Sequence, residues 1–464
     1  MKQVDQNKHY EYPLLLAAAI VFLLGGCTGY QPRPLPNNID LIPNIDQLVS
    51  HGMRYENNMA DGLSLAEISV LAVRNNPKLK AQRMQLGVAQ AQLYSARLFP
   101  DPQLSVSLDH PVVNTMSTVN AMGIGLGYDI LPLINRKPRI DNKKQILNRA
   151  RLQILWQEWQ VSQKARSLAV SLNEQRRQID LLHYMKCLYL QRYQHSHRAL
   201  IRGDITLNVT GTDLTALLDV SSQINQLEQT CNNTSHALNL LLGLTPETYL
   251  KIHLSPIPVL PDSKELYKKM IDLPERRPDL LALQAGYKSQ EARVRVAILS
   301  QFPSISIDIT HARDTGNIYT NGLNIGLNLP FFSANRGVIA IERATREQLR
   351  EEYQARLDQT AMDVDKLICL QKIITMQQQQ LEKYLPDLKK LVKSGRSAYQ
   401  RGDIEALTFL NMETTYIKKR QEQINLDQTQ RENLIALQTL LAIPESAITG
   451  RTLIKKPASD RNQK

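Results

Sequence analysis

Histidines, cysteines and carboxylates are the residues that could do chemistry in this chain, and their spacing builds no catalytic centre. His195 and His197 stand two apart, so on a helix they face different ways and form no metal pair. His110 and His311 recur about 200 residues apart in similar surroundings, which places them near the outer ends of equivalent strands, in a loop role rather than as ligands. Cys187, Cys231 and Cys369 are widely spaced and odd in number, which suits buried thiols on helices rather than a disulfide framework. No P-loop or other energy-coupling motif occurs. The chain is therefore read as a non-enzyme without a cofactor or resident metal. The polar motif that does repeat is Arg202-Gly203-Asp204-Ile205, matched by Arg401-Gly402-Asp403-Ile404. A glycine there lets a helix end in a left-handed turn, and the aspartate beside it sets a carboxylate at the turn.

Those turns belong to a larger repeat. Asn75-Asn76-Pro77-Lys78-Leu79 recurs about 200 residues later as Arg276-Arg277-Pro278-Asp279-Leu280, and Pro102, Gly125 and Asn135-Arg136 recur as Pro303, Gly326 and Asn335-Arg336. Each copy runs helix, two short strands, very long helix, tight turn, helix. Leu65 to Leu98 reads as a helix with a fresh start near Asn76, because Pro77 suits a first helical turn. Ser64 and Glu67 stand at capping-box spacing before it. Pro138 to Ile201 forms one long helix, and Val338 to Ser394 another, interrupted only by Pro386. A helix of this length reaches roughly 95 Å, so other helices must run beside it. The short helices, with Thr212–Leu242 and Glu405–Leu441 as the later ones, stack end to end to the same length. The prolines from 246 to 274 mark the connector at mid-length, where the short helices meet.

The chain of 464 residues divides into a signal segment (1–26), an extended leader (27–62), a first repeat (63–244), the connector (245–275), a second repeat (276–446) and a basic tail (447–464). Aromatics are only 5%, which suits elongated amphipathic helices better than a compact enzyme. The net charge of +12 invites a nucleic-acid partner. The bases alternate with acids along the helices, as in Arg343, Arg346, Glu347, Arg350, Glu351 and Glu352, and such interleaving marks a solvated face instead. No nucleic-acid partner is expected. At the N-terminus, Lys2 and Lys8 precede an apolar run from Pro13 to Leu24 that is too short to span a membrane. Leu24-Gly25-Gly26-Cys27 then resembles a bacterial lipobox, which implies cleavage before Cys27 and acylation of its thiol. Thr28 after it implies transfer to the outer membrane.

The strand segments decide the class. Leu104, Val106 and Leu108 alternate with Ser105, Ser107 and Asp109, and Ile124, Leu126 and Tyr128 alternate with Gly125, Gly127 and Asp129. In the second copy Ile305, Ile307 and Ile309 alternate with Ser304, Ser306 and Asp308, and Leu323, Ile325 and Leu327 with Asn324, Gly326 and Asn328. About ten residues with an apolar outside and a small polar inside suit a transmembrane β-barrel. Four strands cannot cross a bilayer as an open sheet, because each unpaired edge group costs several kcal/mol in hydrocarbon. Either several chains pool their strands in a ring, three chains giving twelve, or the strands lie outside the membrane. The latter describes the competing reading, a lipid-anchored periplasmic coiled-coil scaffold or adaptor without a pore.

These stretches, with Gln301-Phe302-Pro303 entering the third strand, Leu329 to Gly337 leaving the fourth, and Leu240-Leu241-Leu242-Gly243 closing the first copy, resemble the TolC-type outer-membrane efflux channel family over residues 62 to 446. The resemblance implies a mostly α fold with a small β part. It implies a homotrimer whose helical hairpins form a periplasmic tunnel beneath a twelve-stranded outer-membrane barrel. It implies an exit duct for an efflux or type I secretion system, in contact with outer-membrane lipid, a periplasmic adaptor and an inner-membrane pump. The turns Arg202, Gly203, Asp204, Ile205 and Arg401, Gly402, Asp403, Ile404 would form the mouth that meets the adaptor. Relatives carry an aspartate just after the second turn. Here Leu407 to Asn411 stands in its place, so the resemblance points to Phe409 or Leu410 as an apolar constriction.

Overall fold

Ser64 and Glu67 do form a capping box. Ser64 Oγ accepts from the Glu67 amide, and the Glu67 carboxylate accepts from the Ser64 amide at 2.8 Å, which starts α1 (Leu65–Asn75). The computed structural model describes residues 30–43, 45, 62–112, 118–258 and 263–443. The signal segment with Cys27, most of the leader and the basic tail lie outside the described residues. Residues 30–41 belong to a separate extended, exposed unit. The described residues from 62 to 443 form the duplicated fold.

The break expected near Asn76 is present. Asn76 leaves the helical conformation, its Oδ1 accepts from the Leu79 amide at 2.9 Å, and Pro77 opens α2 (Pro77–Arg97). Strands β1 (Gln103–Asp109) and β2 (Ala121–Asp129) follow, then a single turn α3 (Leu131–Ile134) and the long α4 (Arg136–Ile201). A tight turn leads back along α5 (Leu207–Leu242). The proline-rich connector holds two short helices, α6 (Ser263–Ile271) and α7 (Leu273–Arg276), before α8 (Pro278–Leu299). Then come β3 (Ser304–Arg313), β4 (Tyr319–Asn328), the long α9 (Arg336–Arg401) and α10 (Ala406–Leu441). Both long helices have 66 residues and both returning helices 36, so the two hairpins are equal in length. At 1.5 Å per residue a long helix measures roughly 100 Å.

Pro386 does not interrupt α9, contrary to the sequence expectation. It sits on an exposed stripe, where the carbonyl it leaves without a partner can reach water, and Leu381 and Val392 before and after it are buried. The cysteines also depart from expectation. Cys187 and Cys369 are exposed and Cys231 is half-buried, all three being free, because the first two lie on faces of α4 and α9 turned away from the core. Burial beside the mid-length core pushes the Cys231 thiol up, against the pull of Arg176.

The four strands form one antiparallel sheet in the order β1-β2-β3-β4. Its register separates two faces. Leu104, Leu126, Ile309 and Leu323 align on one face, and Ser105, Gly125, Thr310 and Gly322 on the other. The apolar face lies open: Leu126 is 51% exposed and Leu323 65%. On the small-residue face the sheet packs so tightly that a Cβ on Gly127 would stand 2.2 Å from Asp308 Oδ1.

α4 organises the helical part. It lies against α1, α2 and α5 of its own repeat and against α8 and α10 of the other. Two equivalent cores sit at mid-length. Ile68, Leu71, Leu172, Leu238 and Leu242 fill the first, and Leu273, Leu280, Ile368, Leu437 and Leu441 the second. Each such side chain contributes about 1.5–3 kcal/mol by leaving water. The ends of α5 and α10 are closed the same way: Leu244 N donates to Asn239 O and Ile443 N to Gln438 O, across a left-handed residue. That residue is Gly243 in the first copy but Ala442 in the second, at φ 48°. A left-handed alanine costs about 1–2 kcal/mol, and the greater unfolded-state freedom of glycine takes back part of it. Ala442→Gly is therefore expected to stabilise the protein by roughly 0.5–1 kcal/mol. A thermal unfolding midpoint that stays put or falls would rule this out.

Candidate functional site

The two turns at the closed ends of the hairpins are near-copies. Gly203 (φ 80°) and Gly402 (φ 83°) occupy the left-handed position. Asp204 N donates to Ala199 O and Asp403 N to Ala398 O, both at 2.9 Å. Each aspartate then accepts from the arginine two residues earlier, Arg202 Nε to Asp204 Oδ2 and Arg401 Nε to Asp403 Oδ2, both at 2.8 Å. All four charged side chains are more than half exposed. The backbone alone closes each turn, so these charges are not needed to hold it. Ile205 and Ile404 tuck partly under their turns. Ile201 and Leu207 instead stand 74% and 73% exposed beside Asp204, forming an apolar rim that the polar turn motif does not announce. The signal for them is that Ile201 and Leu207 bracket the turn at the two helix ends, where no neighbouring helix covers them.

Phe409 is not free to close a passage. It is 7% exposed, stacks on Tyr399 with ring centroids 5.4 Å apart, and packs against the backbone opening at Gly395 within its own hairpin. Leu410 is half-buried next to it. The residue one turn further on had no sequence signal. Glu413 is 2% exposed and accepts from both Arg396, across its hairpin, and Tyr184 of α4. Arg396 also donates to the Tyr184 hydroxyl at 2.8 Å. This triad ties the second hairpin to the first repeat. Burial raises the Tyr184 phenol above its usual range, with the Glu413 carboxylate adding to the effect and Arg396 opposing it. The hydrogen bond to Glu413 raises the Arg396 guanidinium further. The first hairpin also buries a carboxylate: Asp213, 2% exposed, stands 2.6 Å from Arg192 Nε. That pair stays inside one hairpin.

The histidines lie apart from one another. His197 stacks on Tyr193 and His195 lies against Arg198, so they share no site. No cluster of potential metal ligands occurs among the described residues. His110 and His311 each meet an asparagine, Asn120 and Asn321, both at 2.7 Å. His311 lies within β3 rather than in a loop, because β3 and β4 run longer than their first-copy partners.

Hairpins, sheet and turns together present an apolar sheet face at one end of the helices and charged turns at the other. Comparison with known proteins agrees. The sequence pattern of the outer membrane efflux protein family matches residues 272–442. That match spans the connector's end and the second repeat. It is 23% identical to the cation efflux system protein CusC of Escherichia coli O6:H1 over 54% of this chain and 57% of CusC. It is 20% identical to the probable outer membrane lipoprotein SilC of Salmonella typhimurium over 92% of this chain and 98% of SilC. A crystal structure of the Campylobacter jejuni CmeC outer membrane channel superposes on 89% of this chain and 94% of its own with a TM-score of 0.68, at 16% identity. The fold shared with that channel thus covers both repeats.

Proposed function

We propose that three copies of this chain form the exit duct of a tripartite efflux or type I secretion system. The observation that carries the reading is the sheet. β1 and β4 are each paired on one side only, and their apolar face is open. Unpaired strand edges are untenable in hydrocarbon, and pairing β4 of one copy with β1 of the next closes a twelve-stranded barrel with the small-residue face inside. The same three-fold ring sets six hairpins side by side as a tunnel roughly 100 Å long. Cys27, acylated after cleavage of the signal segment, would anchor the chain to the outer membrane. Transport through the duct is passive and driven by the inner-membrane pump, since the chain has no energy motif. A scaffold without a pore leaves the two-faced sheet without a purpose.

The hairpin turns are where the duct would meet the periplasmic adaptor. Asp204 and Asp403 provide six exposed carboxylates in the trimer, and the apolar rim of Ile201 and Leu207 lies beside the first of them. Detergent-extracted protein is expected to run as a trimer by light scattering and to conduct ions in planar bilayers. The double variant Asp204→Lys, Asp403→Lys is expected to remain trimeric, because the backbone closes both turns, while capture of the adaptor encoded with it falls more than about tenfold. A monomer without conductance would overturn the duct. Unchanged capture by the double variant would overturn the assignment of the turns.

A further inference from the structure

The net charge of +12 is not spread evenly, and one concentration of it lies where the strands enter the helices. A concavity of 1110 Å3 opens there, bounded by α2, α4, α8 and the start of α9. Arg136, Arg139, Lys143 and Arg293 line it, against only two carboxylates, Asp101 and Glu342. On α4 the three bases share one stripe. To one side of it Leu147 packs on Leu93 of α2, and to the other Asn142 donates to Ser289 of α8 at 2.9 Å. The bases therefore point into the space between α2 and α8. The opposite stripe of α4, with Lys137 and Lys144, is exposed on the far side.

None of the four cations forms an ion pair among the described residues. Arg136 donates to the Arg97 carbonyl and lies 4.3 Å above the Phe99 ring. Its Nε is buried without a partner. Lys143 donates to the neutral Gln92 at 3.3 Å. Arg139 and Arg293 hold their heads exposed. Glu342 is engaged by the Gln290 amide rather than by a base. Arg136 and Lys143 are thus held in place by neutral groups, and no ion pair cancels the charge. The N-termini of two 66-residue helices end at the same level and add partial positive charge.

The geometry points to a cationic collar beneath the β-barrel that favours anionic cargo, meaning solutes carrying carboxylate, phosphate or sulfonate groups. The inference rests on the duct reading above and assigns this concavity to the lumen side, so that three copies bring twelve cations and six carboxylates to one level. Rings of arginine and lysine select anions in pores, because a low-dielectric wall focuses their field on whatever passes.

The test is the reversal potential of the purified protein in planar bilayers under a potassium chloride gradient, with the trimer checked by light scattering. The wild type is expected to prefer chloride over potassium. The variant Arg139→Glu, Arg293→Glu is expected to lower that permeability ratio by roughly threefold or more. The milder Arg139→Gln, Arg293→Gln is expected to move it part of the way and serves if the reversed variant fails to assemble. An intact, conducting trimer whose ratio is the same in wild type and variants would overturn the collar while leaving the duct. A protein that neither trimerises nor conducts would overturn the duct and the collar with it.

Discussion

Under the duct reading, Glu413→Gln is expected to open the trimer at the end where the hairpin turns lie. Glu413 is a buried carboxylate that joins the second hairpin, through Arg396, to α4 of the first repeat, through Tyr184. It is 2% exposed, so its charge is held by those two donors and not by water. Glutamine keeps an acceptor for the Tyr184 hydroxyl but removes the charge that Arg396 was meeting. Hydrogen bonds to a charged group contribute about 1.5–3 kcal/mol, and Arg396 is 51% exposed and recovers part of its loss by turning to solvent. A net weakening of roughly 1–2 kcal/mol raises the population of the separated hairpins about five- to thirtyfold. Single-channel conductance should rise several-fold in consequence. Asp213→Asn is the control. It removes a carboxylate equally buried, but its partner Arg192 belongs to the same hairpin, so that variant should soften one hairpin without separating two. Equal conductance of Glu413→Gln and wild type, in trimers of equal yield, would show that the triad holds nothing shut.

What could be read from the residues was what is local. Asn76-Pro77 specifies its own helix break, Arg-Gly-Asp-Ile specifies its own turn, and period-2 alternation places the strands within one or two residues at most ends. Equal hairpin lengths follow from the same cues occurring twice. The misses share a different cause. Whether Cys187 or Phe409 is covered depends on the phase of one helix against another, and Pro386 is tolerated because of what packs beside α9. The Tyr184–Glu413 contact spans 229 positions of chain, and nothing near either residue signals it. The cationic concavity is of the same kind. Its bases were visible as charge, but the four helices that gather them are brought together only by the fold.

Arg277→Ala should be among the most destabilising single substitutions in the chain. The side chain is 1% exposed, and its guanidinium makes four hydrogen bonds. It donates twice to Asp279, at 2.7 and 3.0 Å, once to Thr360 of α9 and once to the Leu440 carbonyl of α10, and it lies 4.8 Å above the Trp156 ring of α4. One residue thus fastens the start of α8 to three other helices. The first copy solves the same joint without charge: Asn76 caps α2 and donates to the Leu241 carbonyl at 3.2 Å, and Lys78 stands where the second copy has Asp279. Asparagine suffices there because no carboxylate is buried beside it. In the second copy the pair stands or falls together. Removing one member of a buried pair costs about 3–5 kcal/mol, much of it from the charge left behind. Arg356, also on Asp279 at 3.0 Å, limits that residue's isolation but cannot reach the α10 carbonyl's partner role. Arg277→Lys keeps the charge and loses the fork, so it should fall between wild type and alanine. The decisive variant is Arg277→Ala combined with Asp279→Ala. If the orphaned carboxylate is the main cost, the double variant should unfold at higher denaturant than Arg277→Ala alone, by about 1–2 kcal/mol. If the two losses simply add, the joint is held by packing around the guanidinium stem and not by its charge.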